Sequence, residues 1–397
     1  MKIVIAMDSF KGTLASYEAC EIIAAAIAEC VPDARLVIKP MADGGEGTAR
    51  AMIKAANGQW IRQTVMGPLP GMQVEAGFAW FGDSKTALVE MASASGLELL
   101  SREQMNPLKT TTYGTGQLIK AALEYGACKI LLAVGGSATV DGGVGAATAL
   151  GWRFLDAEGN AVALGGAGLE RIAKIVEPKK TEVRRQKSED RSQKSVLCPL
   201  FSDICSTPVE VLCDVDNPLC GEHGAARVYA GQKGADPRMI EQLEKCLAHL
   251  AALVRKNLQR DIDNVPGAGA AGGLAAGALA FMNAKLVSGI ETVMARSNLK
   301  AELESADWVI TGEGSFDSQS LRGKVVSGIA KMALESHTRL AVIAGQVAVP
   351  QQEFQTLGII TAIGCRTEDM SLDYALANSR SLLRRAAQRF AKEHLLL

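Results

Sequence analysis

The sequence predicts an α/β protein with two domains, and three observations support this. Of its 397 residues, 48% are hydrophobic but only 5% are aromatic, which is typical of chains packed with Ala, Val, Ile and Leu. Short apolar runs repeatedly end in loops of glycine, acidic and hydroxyl residues, and helical patterns follow these loops. The length is large for a single hydrophobic core, so two domains are expected.

The first part of the chain has the β-α-β-α order of a parallel sheet. We expect two strands at residues 3–7 and 35–41, with helices at 16–30 and 47–57. Asp8 and Asp43 follow the two strands, at the carboxyl edge where parallel sheets bind ligands. The neighbouring loop residues that we expect to contact a ligand are Ser9, Gly44, Gly45 and Glu46.

The pattern changes after residue 58. Three apolar stretches are separated by turns so short that they favour antiparallel pairing, and we expect strands at 60–66, 72–81 and 86–91. This change marks the entry to a second domain. A helix at 110–125 and a buried strand at 130–134 follow.

A glycine-rich loop follows the buried strand and leads into a helix around residues 146–150. Glycines allow close backbone approach, and unpaired N–H groups at a helix N-terminus favour an anion. The loop therefore predicts a phosphate site, with a merely tight turn as the alternative. Loops at 42–48 and 311–317 have the same make-up, which indicates one site built from several strand ends. The candidate residues here are Gly135, Gly136, Ser137, Thr139 and Asp141.

A later strand, from Val209, ends in two acids, Asp214 and Asp216. Their spacing of two residues places both carboxylates on one face. With Asn217 they suit Mg²⁺, which prefers one or two carboxylates plus phosphate oxygens. A capping Asp-Asn-Pro turn is an equally good interpretation.

The segment from Gly267 to Gly272 matches a dinucleotide-binding pattern, with Gly269 as its second glycine. The preceding residues 261–266 are no convincing buried strand, and small-residue helices produce the same spacing. Glu291 lies near the offset expected of a ribose-binding acid. A dinucleotide site therefore stays open as an alternative.

The last third returns to the α/β pattern. We expect strands at 308–311, 340–344 and 359–363, and helices at 325–335 and 372–392. The loop after the first of these strands contains Gly312, Glu313, Asp317 and Ser320. Lys324 directly precedes a helix and is well placed to meet phosphate, although the loop is not a Walker A motif.

Composition restricts partners and location. The formal net charge of −1 gives no support for nucleic acid or an anionic membrane as a partner. Nine cysteines without a CxxC pair indicate reduced thiols, and a strand follows Met1 without a signal-peptide pattern, so we expect a cytoplasmic protein. Residues 178–208 offer almost nothing to bury and are expected to form a mobile surface insertion, with binding of an anionic partner as the less favoured alternative.

The loops together combine acids with two lysines, Lys11 and Lys324. Hydride transfer needs neither, whereas phosphoryl transfer needs acids for Mg²⁺, lysines for the γ-phosphate and a carboxylate that accepts the hydroxyl proton. The set therefore favours an ATP-dependent kinase. Asp43 or Asp317 is the candidate base, and Lys11 and Lys324 are the candidate phosphate-neutralising residues.

Six motifs in order resemble the bacterial glycerate kinase family, type I. They lie at residues 8–12, 43–48, 135–143, 213–221, 266–273 and 310–314, the last with Gly323 and Lys324. The resemblance covers nearly the whole chain except the insertion. It implies ATP-dependent phosphorylation of D-glycerate, with 2-phosphoglycerate as the expected product. It also implies a discontinuous flavodoxin-like domain of residues 1–60 and 295–397, and an inserted α/β domain of 61–294 with a mixed sheet, closing over an interdomain cleft.

Two positions depart from the family pattern. Val140 stands where asparagine is usual, and Ser315 stands where arginine is usual. If that arginine holds a carboxylate or phosphate in the family, its loss removes a charge-assisted contact of about 1.5–3 kcal/mol, which the nearby Arg322 could replace. The alternatives are 3-phosphorylation of glycerate, a kinase for a related hydroxy acid, a nicotinamide-dependent oxidoreductase and a non-catalytic hydroxy-acid sensor. The oligomeric state is left open, with a homodimer as one option.

Overall fold

The computed structural model describes residues 1–10, 12–45, 47–178, 207–318, 320–321 and 325–396. It divides the chain into two compact units. Unit 1 comprises Met1–Gly58 and Ser288–Leu397, and unit 2 comprises Gln59–Val287. The boundaries expected from the sequence were residues 60 and 295. The predicted insertion at 178–208 lies almost wholly outside the described residues.

The regular elements alternate along the chain as an α/β fold requires. The strands are β1 Lys2–Met7, β2 Arg35–Ile38, β3 Gln59–Met66, β4 Gln73–Phe81, β5 Thr86–Glu90, β6 Lys129–Ala133, β7 Arg153–Leu155, β8 Lys174–Val176, β9 Val209–Leu212, β10 Lys285–Val287, β11 Trp308–Gly312, β12 Ser315–Phe316, β13 Arg339–Ala344, β14 Gln346–Val347 and β15 Ile359–Gly364. The α-helices are α1 Ser16–Cys30, α2 Thr48–Ala56, α3 Ala92–Ser95, α4 Tyr113–Tyr125, α5 Val144–Ala149, α6 Ala225–Tyr229, α7 Pro237–Leu258, α8 Ala270–Phe281, α9 Gly289–Arg296, α10 Leu299–Leu303, α11 Val325–Glu335, α12 Gln351–Gln355, α13 Leu372–Ala377 and α14 Ser379–His394.

Unit 1 is built on a five-stranded sheet in the order β2-β1-β11-β13-β15, and every pairing is parallel. Counted within the unit, this is the flavodoxin-like order 2-1-3-4-5, whose strand order reverses between β1 and β11. Ligands bind at such a reversal, beyond the carboxyl ends of the strands. The fold therefore directs attention to the residues that follow β1 and β11.

Helix α1 covers one face of this sheet. Its apolar residues recur at helical spacing, and Ile23 and Ile27 are fully buried in a cluster that includes Ile3 and Ile5 of β1. Each buried isoleucine contributes about 1.5–3 kcal/mol to folding. The helix ends at Cys30, two residues before Pro32, where the chain cannot continue a helix without strain.

Unit 2 is built on a six-stranded mixed sheet in the order β10-β9-β6-β5-β4-β3. The pairs β3–β4 and β4–β5 are antiparallel, as the short turns predict, and the remaining pairs are parallel. Strand β6 lies in the middle, and its residues Ile130 to Ala133 are fully buried. The glycine-rich loop therefore leaves the sheet from a central strand.

Two predicted helices differ in extent from the sequence expectation. The helix expected at 110–125 begins at Tyr113, because the backbone N–H and hydroxyl of Thr112 bond the carboxylate of Asp141 instead. The closing helix expected at 372–392 divides at Asn378, whose φ of −109° and ψ of 17° are not helical. None of the described helices is long and apolar enough to cross a membrane.

Candidate functional site

Unit 1 holds a cavity of about 380 Å³ beyond the carboxyl ends of β1 and β11, where the strand order reverses. Among the described residues, its polar rim combines four carboxylates with one guanidinium, and helices α13 and α14 supply much of its apolar wall. The charged lining residues are Asp8, Asp43, Glu313, Asp317 and Arg366, and the apolar ones include Phe10, Leu372, Ala375, Leu376 and Leu382.

The backbone fixes Asp8 directly at the end of β1. Its N–H donates to the carbonyl of Gly312 in β11, 2.9 Å away, and its carboxylate accepts from the N–H of Ser9 at 2.7 Å. Gly312 is required there, because a Cβ atom on it would lie 1.8 Å from the carbonyl oxygen of Ile343. These contacts hold the ends of β1 and β11 together beneath the cavity.

Asp43 lies on the rim after β2, in a local turn. One carboxylate oxygen accepts from the backbone N–H of Gly45 at 3.0 Å, and Gly44 has a φ of +85° that favours glycine. Within the described residues, no donor bonds the other carboxylate oxygen. This local turn thus holds Asp43 at the cavity.

Asp317 is held by a serine cluster after β12. Its carboxylate accepts from the hydroxyl of Ser315 at 3.4 Å, and its N–H donates to Ser320 at 3.1 Å. Ser320 is fully buried and donates to the carbonyl of Ser315, so its hydroxyl serves this turn. Gln346 also donates to Ser315 at 3.0 Å, and Ser315 occupies the cavity wall as a small neutral residue.

In unit 2 the glycine-rich loop is organised around Asp141, which is 1% exposed. Its carboxylate accepts from the backbone N–H groups of Thr112, Gly143 and Gly145 at 2.8, 3.1 and 3.2 Å. The hydroxyls of Thr111 and Thr112 add further donors. Burial raises the pKa of Asp141 and these donors oppose the rise. All of these hydrogen bonds to Asp141 come from groups of the protein.

Lys233 lies behind the same loop and is also 1% exposed. Its ammonium donates to the hydroxyl oxygen of Ser137 at 2.6 Å and to the carbonyl of Thr139 at 2.8 Å. Burial lowers the pKa of Lys233 to about 7, and the charge of Asp141 opposes that fall. Nothing in the sequence singled out Lys233, because its partners lie more than 90 residues away along the chain.

The front of the loop carries open donors. Within the described residues, no acceptor bonds the backbone N–H groups of Gly135, Gly136 or Ser137. The hydroxyl of Thr139 is buried without a partner there. Since buried or ordered N–H groups are normally paired, this run of donors is suited to an anionic ligand.

The glycines of the 267–272 segment have a packing role. A Cβ atom on Gly269 would lie 2.3 Å from the carbonyl of Pro218, and one on Gly272 would lie 2.0 Å from that of Thr139. The N–H of Gly269 donates to Asn217 at 2.9 Å, and Gly267 has a φ of +84° beside Val215. No strand is described directly before this segment. Gly267 and Gly269 therefore allow close packing on the segment that carries Asp214 and Asp216, and Gly272 allows close packing on the glycine-rich loop.

Asp214 and Asp216 are both exposed. Among the residues that the structure describes, no group of three or more His, Cys, Asp and Glu side chains is arranged to hold a metal ion.

Lys11, Glu46 and Lys324 lie outside the described residues. The structure thus brings Asp8, Ser9, Asp43, Glu313 and Asp317 to one cavity of unit 1, and the glycine loop and the pair of acids to unit 2. Arg366 is a cavity residue that the sequence reasoning missed.

The fold and the site define an α/β protein with a flavodoxin-like unit, an acid-lined cavity and a donor-rich loop. The profile of the glycerate kinase family matches residues 3–395. The glycerate 2-kinase of Escherichia coli K12 is 42% identical over 98% of this chain and 97% of its own length, and the glycerate kinase of Halalkalibacterium halodurans is 41% identical over 98% and 97%. A solved structure from Salmonella typhimurium LT2, described as a glycerate kinase 2, has a TM-score of 0.82 at 41% identity and covers 99% of this chain and 98% of its own. The chain therefore belongs to the glycerate kinase family, and the resemblance seen in the sequence is confirmed.

Proposed function

We propose that this enzyme transfers a phosphoryl group from ATP to the 2-hydroxyl of D-glycerate. The observation that carries the proposal is the group of carboxylates around one cavity at the strand reversal of unit 1, in a chain 42% identical to a glycerate 2-kinase. In phosphoryl transfer the protein contributes mainly positioning and electrostatic stabilisation, and acids at fixed positions can hold Mg²⁺ or accept the hydroxyl proton. Phosphorylation at the 3-hydroxyl is the competing outcome.

Asp43 and Asp317 are the candidates for accepting the hydroxyl proton. Both line the cavity, and each is held by a donor of its own loop. Asp8 and Glu313 share the cavity, so a bound hydroxy acid meets several acceptors. Arg366, whose Nε donates to the carbonyl of Met370 at 2.9 Å, is the described cation of this cavity and is suited to a carboxylate or phosphate. Although Ser315 replaces the arginine that is usual in the family, Arg366 still supplies a guanidinium to this cavity.

Two sets of acids suit Mg²⁺ chemically. Asp214 and Asp216 offer the two carboxylates predicted from the sequence, and their exposure leaves room for water and phosphate oxygens. The cavity acids are the alternative. A bound Mg²⁺ would neutralise charge on the phosphate groups. Lys11 and Lys324 keep their proposed role of neutralising phosphate, which rests on the sequence.

The test is an ADP-release assay with Mg·ATP and a panel of D-glycerate, L-glycerate, glycolate and D-lactate, together with NADH binding by fluorescence. The proposal expects turnover with D-glycerate above the other acids and no NADH binding. Turnover only with another hydroxy acid would keep the kinase and change its substrate. ATP-independent NADH binding would support the oxidoreductase alternative, and ligand binding without turnover would support a sensor.

A further inference from the structure

We propose that Lys233 is a positioning residue that holds the Gly135–Thr139 turn in its anion-binding form and gives that turn a positive charge. The inference rests on the proposed function, because it concerns how this loop meets an anionic group of the substrates. It adds a residue that lies outside the six sequence motifs.

The first step is the placement of the charge. Lys233 is 1% exposed, and within the described residues its ammonium has two acceptors, Ser137 and Thr139. An ammonium group has three N–H donors, so one is left for another acceptor. Burying a charge without full pairing is costly, and an apolar side chain would fill the same volume without that cost. A bound anion would supply the missing partner charge.

The second step concerns the hydrogen-bond donors that the turn has left for a ligand. Because the oxygen of Ser137 accepts from Lys233, the hydrogen of that hydroxyl is free to donate elsewhere. The N–H groups of Gly135, Gly136 and Ser137 have no acceptor among the described residues. Three consecutive residues thus carry backbone donors without a described acceptor, in a turn that is also held by the cation of Lys233. This is the arrangement that favours a carboxylate or phosphate group.

The third step is the balance of charge around Lys233. Asp141 is the described titratable group that affects Lys233, and its carboxylate is already bonded by Thr112, Gly143 and Gly145. Asp141 therefore fixes the far end of the loop and leaves the ammonium available to the turn. Because burial lowers the pKa of Lys233 to about 7, the positive charge is present below pH 7 and is lost as the pH rises through this value.

The test uses sulfate as the probe, because its charge is constant between pH 6 and 9. Binding is measured by calorimetry on the full chain without ATP or glycerate, for the wild type, Lys233→Met and the control Lys129→Met. Lys129 lies at the opposite end of β6 and pairs with Glu210. The proposal expects Lys233→Met to weaken sulfate binding about tenfold at pH 6.5, since one charge-assisted donor is lost, while the control binds as the wild type does.

The pH profile separates this role from a purely structural one. Wild-type binding should weaken as the pH rises from 6 to 8.5, and the profile of Lys233→Met should be flat. Asp141→Asn removes a charge that raises the pKa of Lys233, so the fall in binding should move to lower pH if Lys233 causes it. If Lys233→Met fails to fold, the profiles of the wild type and Lys129→Met decide, and flat binding in both would overturn the proposal. Because no turnover is measured, failure here is distinguishable from failure of the kinase assignment.

Discussion

The carboxylate of Asp141 accepts a hydrogen bond from the backbone N–H of Thr112, 2.8 Å away, and so joins the glycine-rich loop to the residue that precedes helix α4. The two residues are 29 positions apart. The sequence marked Asp141 as a ligand contact, and the structure shows it bonding five protein donors. The contact of Asp141 with a ligand remains a prediction. The contribution of its hydrogen bonds to stability can be tested directly.

Replacing Asp141 with alanine should destabilise unit 2. The substitution leaves buried donors of Thr112, Gly143 and Gly145 without an acceptor, at a cost of about 3 kcal/mol or more. Urea denaturation measures the loss. Asp261→Ala is the control, because Asp261 is exposed and pairs with Arg255 on the surface. Equal stabilities of the two variants would show that the Asp141 network contributes little.

Lys233 should make stability depend on pH. Its pKa falls from 10.5 to about 7 on folding, so the unfolded state binds more protons between these values. Wild-type stability should therefore fall as the pH drops from 9 to 7, by up to about 1.4 kcal/mol per pH unit relative to Lys233→Met. Unfolding in urea at pH 7, 8 and 9 tests this. A constant difference between the two proteins would mean that Lys233 keeps an ordinary pKa.

The two candidate bases can be separated by substitution with asparagine. The variant that removes the base, Asp43→Asn or Asp317→Asn, should lower kcat by about 10² or more while keeping the fold. Asp33→Asn serves as the control, because Asp33 is exposed in the turn between α1 and β2. A variant with near-wild-type kcat eliminates its residue as the base, and two such variants would move the base outside this pair.

Gly269→Ala tests the packing role of the 267–272 segment. The added Cβ atom would lie 2.3 Å from the carbonyl of Pro218, so the segment must shift and stability should fall by about 2 kcal/mol or more. Gly231→Ala is a matched control, since nothing lies within 4 Å of its added Cβ atom. Thermal unfolding compares the two. Unchanged stability of Gly269→Ala would argue against close packing at this position.

The sequence was most informative where local pattern decides structure. Helices α1 and α11 have the predicted bounds, because their apolar spacing and flanking breakers are local signals. Asp8 directly follows β1, as expected, and lines the cavity. The strand expected at 35–41 ends at Ile38, so Asp43 reaches the same cavity from the loop beyond it.

The sequence was least informative where contacts join distant segments. Lys233 meets Ser137 across 96 residues, and no local pattern marks a lysine that will be buried. Arg366 reaches the cavity only because β13 and β15 pair, and the start of α4 depends on Asp141. Such features follow from tertiary packing, which the order of motifs does not specify.

The most direct test of the account is the identity of the product formed from Mg·ATP and D-glycerate. Enolase, pyruvate kinase and lactate dehydrogenase report 2-phosphoglycerate, with and without phosphoglycerate mutase and after correction for the ADP background. The account predicts full signal without the mutase. Signal only with the mutase would contradict 2-phosphorylation, and no signal in either assay from a protein that binds ATP would contradict the assignment of D-glycerate as the substrate.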